Sequence, residues 1–179
     1  MVSVIWITGL SGAGKTTIAK ELCKRIRSVG EKVVLLDGDE LREVLMSEST
    51  PFKNYDKDSR LNVSMQYARL CKLISDQDVT VVIATISLFH KVHSWNRSNI
   101  SNYFEIYLKV PLEELKRRDT KGIYSKHKLG LIENVAGLDF AIEEPQNPDI
   151  LIEFKKDQTI RGLVDKIILR MNERLKNEN

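Results

Sequence analysis

The chain has 179 residues, enough for one well-buried core and short for two, so a single domain over residues 1–179 is expected. With 42% hydrophobic and 30% charged residues, the composition is that of a soluble globular protein and excludes disordered and fibrous classes. The net charge is only +3 and basic residues concentrate only around Lys116 to Lys128, which points to a local anionic ligand and not to general nucleic-acid binding.

Residues 2–8 are nearly all apolar or β-branched, as a strand covered on both faces should be. They deliver Gly9-Leu10-Ser11-Gly12-Ala13-Gly14-Lys15-Thr16, which fits the pattern of Gly, four residues, Gly, Lys, Ser/Thr without a mismatch. Its glycines let successive N–H groups point at phosphate oxygens, and a helix starting at Lys15 adds the positive end of its dipole. The stretch therefore reads as an ATP phosphate cradle: Lys15 would reach the β- and γ-phosphates, and Thr16 would hold Mg²⁺. Ile18, Leu22, Ile26 and Val29 continue the helix to about Ser28, with Gly30 placed where it would stop.

Val33 to Leu36 form a second apolar strand that brings Asp37-Gly38-Asp39 to its C-terminal end. Asp39 is placed to orient or deprotonate an acceptor hydroxyl, and Asp37 suits the outer shell of the metal. The alternative is that both merely cap a helix starting near Glu40, since aspartate is a favoured N-cap. Glu48 to Ser59 is polar and aperiodic, so a mobile, functional loop is expected. Val63, Tyr67, Leu70, Cys71 and Ile74 then repeat at helical spacing up to Asp76.

The third strand, Val79 to Ile86, ends at Ser87. A less regular segment with His90, His93 and Arg97 leads to a fourth strand over Tyr103 to Leu108, after which Pro111 opens a short helix through Arg118. Residues 119–147 carry Gly122, Gly130, Gly137 and Pro145 with Lys121, Lys126, His127 and Lys128, and read as a lid. Ile150 to Ile152 is the fifth strand. The closing helix presents Ile160, Leu163, Val164, Ile167, Met171 and Leu175 on one stripe.

Alternating strands and helices, with strands apolar on both faces, predict an α/β, three-layer P-loop fold with a five-stranded parallel sheet, helices on both faces and a lid. Ligands of such sheets bind beyond the C-terminal strand ends, where the phosphate loop, Asp37, Asp39 and Ser87 all fall. No apolar run approaches the length of a membrane span and the N-terminus enters the first strand directly, so no membrane association is expected and the cytoplasm is the default location. Cys23 and Cys71 read as reduced core residues.

The motifs together resemble the adenylylsulfate (APS) kinase family. Residues Gly9 to Thr17, Leu36-Asp37-Gly38-Asp39 with Arg42, Pro111-Leu112-Glu113, Arg118-Asp119 and Lys121-Gly122-Ile123-Tyr124 with Lys126 carry the resemblance. It continues through Gly137-Leu138-Asp139, Glu144-Pro145 and Asn147-Pro148, and so spans residues 4 to about 152. The resemblance implies a Mg²⁺-dependent kinase, usually a homodimer, that moves the γ-phosphate of ATP to the 3′-hydroxyl of a small nucleotide. It implies ATP contacts at Gly9, Ser11, Gly12, Ala13, Gly14, Lys15, Thr16, Thr17 and Arg118, the last against the adenine. Asp39 and Lys15 would be catalytic. The acceptor would meet Asp37, Asp39, Arg42, Arg60, Ile86, Ser87, Lys121 and Lys126.

Departures from the family pattern fall on the acceptor side. Where the family reads Ile-Ser-Pro-Tyr-Arg, this chain has Ile86-Ser87-Leu88-Phe89-His90. Val63, Met65 and Gln66 stand where asparagine and arginines are usual, and Val135 stands where an aromatic ring stacks on the acceptor's adenine. Lost arginines weaken an anion site, and a lost stacking ring costs base binding roughly 1–3 kcal/mol. The chain therefore looks like an APS-kinase-type enzyme retuned to another nucleotide, similar to the cytidine diphosphoramidate kinases of bacterial capsule synthesis. Their acceptor is a pyrimidine nucleotide with a neutral P–NH₂ end, for which His90 and His93 could be neutral contacts. An ordinary APS kinase is the alternative. A GTP-dependent switch is the non-enzyme alternative, against which stands the lack of an Asn-Lys-x-Asp guanine-reading motif.

Overall fold

The computed structural model describes residues 2–45 and 56–177. Its elements are β1 (Val4–Thr8), α1 (Lys15–Ser28), β2 (Val33–Asp37), α2 (Gly38–Leu45), α3 (Lys57–Ser75) and β3 (Thr80–Thr85), followed by α4 (His90–Asn99), β4 (Tyr103–Lys109), α5 (Leu112–Arg118), α6 (Ile123–Lys128), β5 (Ile150–Glu153) and α7 (Ile160–Asn177). All strand pairs are parallel, in the order β2-β3-β1-β4-β5.

Alternation along the central strand builds two cores. Ile5 and Ile7 of β1 pack with Ile18 and Leu22 of α1 and Val164 and Ile167 of α7. Val4 and Trp6 point the other way, onto Val63, Tyr67 and Cys71 of α3 and Val92 of α4. Burying each such side chain stabilises the fold by about 1.5–3 kcal/mol, so the helical layers are held on both faces as the sequence predicts. Cys23 and Cys71 are free and buried, and burial pushes the Cys71 thiol far above its ordinary range.

Four features differ from the reading of the sequence. The edge strand β5 is not apolar on both faces: Ile150 and Ile152 are buried, whereas Leu151 and Glu153 face out. Helix α3 starts earlier than expected because the Asp56 carboxylate accepts the Ser59 N–H at 2.8 Å, so Lys57 to Ser59 are helical and not loop. The rest of the expected mobile loop, from Glu48 to residue 55, lies outside the described residues. The lid segment holds a short helix, α6, and the segment around His90 and His93 is the helix α4.

Helix α4 lacks a legible apolar stripe because its buried face is partly polar: Val92 is buried there beside His93 and Asn96. These polar groups meet an unusual partner, Glu105 of β4, which is 1% exposed. Its carboxylate accepts from the Tyr103 hydroxyl at 2.9 Å and Arg97 at 3.2 Å, and Asn96 donates to the Tyr103 hydroxyl at 3.2 Å. Asp149 binds the same Arg97 at 3.1 Å and also accepts the Glu105 N–H at 2.8 Å.

Candidate active site

Strand β1 ends between β3 and β4, so the loop after it opens at the middle of the sheet. Gly9 is required there: a Cβ at this position would lie 2.6 Å from the Leu108 carbonyl oxygen. The loop turns so that the Ala13 N–H donates to the Leu10 oxygen at 3.2 Å, and Gly14 enters α1 in a left-handed conformation. The first turn of α1 holds no acidic residue and its last turn holds Arg25 and Arg27, an arrangement that leaves the positive end of the dipole facing the loop. The Lys15 ammonium donates to the Leu10 oxygen at 2.8 Å. Burial pulls its pKa down to about 7, with Lys121 lowering it further and Asp37 opposing the fall.

The carboxylates sit beside this loop. Thr16 donates its hydroxyl to Asp37 at 2.6 Å, and the other Asp37 oxygen accepts the Asp39 N–H at 2.9 Å. Both Asp37 oxygens are thus turned toward the phosphate loop and α2, and Asp37, expected at the acceptor, lines neither hollow described below. One hydroxyl with a carboxylate behind it suits Mg²⁺, which binds few protein ligands and completes its shell with water and phosphate oxygens. Asp39 stands in the first turn of α2, half-exposed, and pairs with both Arg42 and Lys121. Gly38 sets it against the end of β3, since a Cβ there would be 3.2 Å from the Thr85 hydroxyl, and Tyr67 donates to the Gly38 oxygen at 3.1 Å.

Two adjacent hollows open beyond the end of β3, and the expected acceptor residues Asp39, Arg42, Lys121 and Lys126 line neither of them. The first is lined by Val63 and Ser64 of α3, Thr85 to Phe89 after β3, and Phe140 of the lid. The second lies between Ser11 and lid residues 130–136, with Val135 in its wall. Arg60 and Ile86 line both. The Arg60 guanidinium donates to the Asn134 oxygen at 2.8 Å and sits 5.7 Å from the Phe140 ring centre. Ser87 is buried at the floor, its hydroxyl 2.8 Å from those of Thr85 and Ser64.

The histidines do not line these hollows. His93 is buried beneath the floor, where its Nε2 donates to the Ser87 oxygen at 2.9 Å, and burial lowers its pKa. His90 faces the lid: its N–H donates to Glu143 at 2.8 Å and its ring lies 2.9 Å from the Glu144 oxygen.

On the other side of the phosphate loop, Arg118 donates to Glu114 at 2.7 Å and lies 4.6 Å over the Phe154 ring, forming a flat platform. The lid is fastened at several points. Tyr124 donates to the Ser11 oxygen at 2.9 Å, and Asp119 caps α6 by accepting the Tyr124 and Ser125 N–H groups at 3.0 and 2.8 Å. Asp139 accepts the Val135 N–H at 2.6 Å and pairs with His127 at 2.7 Å, and these contacts hold its carboxyl below the ordinary range. Lys126 is exposed on α6, apart from the Asp39, Arg42 and Lys121 cluster. Sequence reasoning missed Phe154, Ser64, Thr85 and the roles of Tyr124 and Asp139 in closing the lid. Tyr124 and Asp139 stood within motifs that carry the family resemblance, but without these roles.

A phosphate loop after the central strand of a parallel 2-3-1-4-5 sheet, with carboxylates at the end of β2, defines a P-loop kinase. The chain matches the adenylylsulphate kinase family over residues 1–153 and belongs to that family. A cytidine diphosphoramidate kinase from Campylobacter jejuni is 35% identical over 168 residues, covering 94% of this chain and 95% of the relative. A probable adenylyl-sulfate kinase from Archaeoglobus fulgidus is 36% identical over 157 residues, covering 88% of this chain and 99% of the relative. The Mycobacterium tuberculosis APS kinase, solved with AMPPNP and APS, matches with a TM-score of 0.83 and 26% identity, covering 96% of this chain and 98% of that one. Among the described residues no helix is long and apolar enough to cross a membrane.

Proposed function

We propose that this kinase transfers the γ-phosphate of ATP to the 3′-hydroxyl of cytidine diphosphoramidate, a step of capsule phosphoramidate synthesis. The observation that carries this reading is the set of hydroxyls that the first hollow, apolar over most of its wall, presents beside a single cation. Its wall groups are the Ser64, Thr85 and Ser87 hydroxyls, with Arg60 as the lining cation. An arginine only donates hydrogen bonds, whereas a hydroxyl also accepts them, so this hollow suits an end group that carries N–H. The sulfate of APS offers acceptor oxygens alone. The C. jejuni relative, with its matching coverage, supports the same choice.

In this reading the loop N–H groups and Lys15 hold the ATP phosphates, the Arg118 and Phe154 platform meets the adenine, and Thr16 with Asp37 behind it holds Mg²⁺. The metal would spread the charge of the transferring group. Asp39 orients or takes the proton of the acceptor hydroxyl, and Arg42 and Lys121, now paired with it, bind phosphoryl oxygens as charge moves. An ordinary APS kinase is the second reading, favoured by the relatives of that name. A coupled assay at fixed Mg-ATP decides between them. Cytidine diphosphoramidate should give a kcat/KM at least about tenfold above that for APS, a gap of about 1.4 kcal/mol. APS matching or beating it would establish the second reading.

A further inference from the structure

Resting on that reading of the acceptor site, we infer that Ser64 is a specificity residue, whose hydroxyl reads the N–H-bearing end of the acceptor. Ser64 follows Arg60 by one turn of α3 and is 5% exposed, so the first hollow is its route to a ligand. Proton counting fixes the direction of the three-hydroxyl ladder. Ser87 donates its single hydroxyl proton to Ser64 at 2.8 Å, so in the 2.8 Å contact between Thr85 and Ser87 the donor is Thr85. The ladder ends at Ser64, which accepts one bond from Ser87 and keeps a second lone pair.

The end of this ladder is held in place. Ser87 has a left-handed φ of 27°, its hydroxyl lies between two others, and its carbonyl oxygen is fixed by buried His93. A serine in that conformation persists only where its surroundings impose it, and here they do so through both side chain and main chain. His93 is thus a positioning residue for Ser87, whose hydroxyl meets that of Ser64 on α3. No carboxylate lines the hollow among the described residues, so the acceptors available to an incoming N–H are these hydroxyls, that of Ser59 at the rim of α3, and main-chain oxygens. A phosphoramidate end combines an anionic oxygen, suited to Arg60, with an N–H suited to Ser64. A phosphate or sulfate end would set oxygen lone pairs against the Ser64 lone pair and gain only its proton.

The test uses Ser64→Ala and Ser64→Cys in the full-length enzyme. The cysteine fills the volume but bonds weakly, so a loss shared by both variants reports the hydrogen bond and not a cavity. The quantity read is the ratio of kcat/KM for cytidine 5′-diphosphoramidate to that for cytidine 5′-diphosphate, repeated with the two adenine counterparts. Both variants should lower this ratio at least about tenfold, equivalent to about 1.4 kcal/mol, with the KM for ATP within about twofold of wild type. An unchanged ratio, or an equal loss on both end groups, would overturn the inference. The preference between bases at a fixed end group reads the cytidine assignment separately. A wild-type enzyme that prefers adenine would overturn that assignment while the adenine pair still measured Ser64.

Discussion

Thr16 and Asp37, twenty-one positions apart, are joined by a hydrogen bond of 2.6 Å that ties the first turn of α1 to the end of β2. A residue that orients a metal ligand acts on metal binding without touching the metal, and its removal typically costs 10–100-fold. Asp37→Asn keeps an acceptor for Thr16 but loses the charge. It should raise the Mg²⁺ concentration needed for half-maximal activity about tenfold, with a melting temperature close to wild type. An unchanged Mg²⁺ titration would show that the pair only fastens the helix to the strand.

Asp39 sits between Arg42 and Lys121, which bind the same carboxylate from α2 and from the lid. If it serves the acceptor hydroxyl, Asp39→Asn should lower kcat by roughly 10²–10⁴ and move the KM for ATP far less. Steady-state kinetics with each substrate varied separates the two effects. A normal kcat would leave Asp39 with only its ion pairs to Arg42 and Lys121, the cap on the first turn of α2 being the Asp37 carboxylate that accepts the Asp39 N–H.

The sheet, its two helical layers and the phosphate loop were legible in the sequence because each rests on a local pattern. Apolar runs mark strands buried on two sides, and glycine spacing marks the loop. Helix α4 was not legible, since His93 and Asn96 replace apolar residues on its buried face and find their partners, the Ser87 oxygen and the Tyr103 hydroxyl, outside the helix. The lid clasp was hidden for the same reason: Asp139 gains its meaning from His127 and the Val135 N–H, which no spacing rule connects. The departures at Val63 and Val135 were visible as residues, but the hydroxyl ladder beside them needed the packing of α3 on β3.

Lys15 gives a prediction with a definite sign. Its free-state pKa is lowered to about 7, mainly by burial, so part of its population is neutral at and above neutrality. Phosphate oxygens around the ammonium favour the charged form, which makes the bound pKa the higher of the two. ATP binding should then take up a proton, and affinity should weaken as pH rises from about 7 toward the bound value. Calorimetry at pH 8 in buffers of different ionisation enthalpy should show an uptake approaching about one proton. Lys15→Ala should abolish both the uptake and, by roughly 10²–10³ or more, phosphoryl transfer, without unfolding the protein. Zero uptake by the wild type, or activity of the variant within about tenfold, would remove Lys15 from the phosphate site.

Tyr124 offers a test of the lid. Its ring is buried, which pushes its pKa up to about 12, and its hydroxyl donates to the Ser11 oxygen at 2.9 Å inside the phosphate loop. Tyr124→Phe keeps the buried ring and removes this one bond, a net change of about 0.5–1.5 kcal/mol. If the bond mainly holds the lid over bound nucleotide, the loss falls on binding, and the KM for ATP should rise about three- to tenfold with kcat within about twofold. If it mainly supports the folded chain, the melting temperature should fall with both constants unchanged. The same variant should leave the preference between end groups at a fixed base untouched, because Ser11 lies outside the first hollow and its hydroxyl ladder. A changed acceptor preference would mean that the lid helix and the acceptor floor move together.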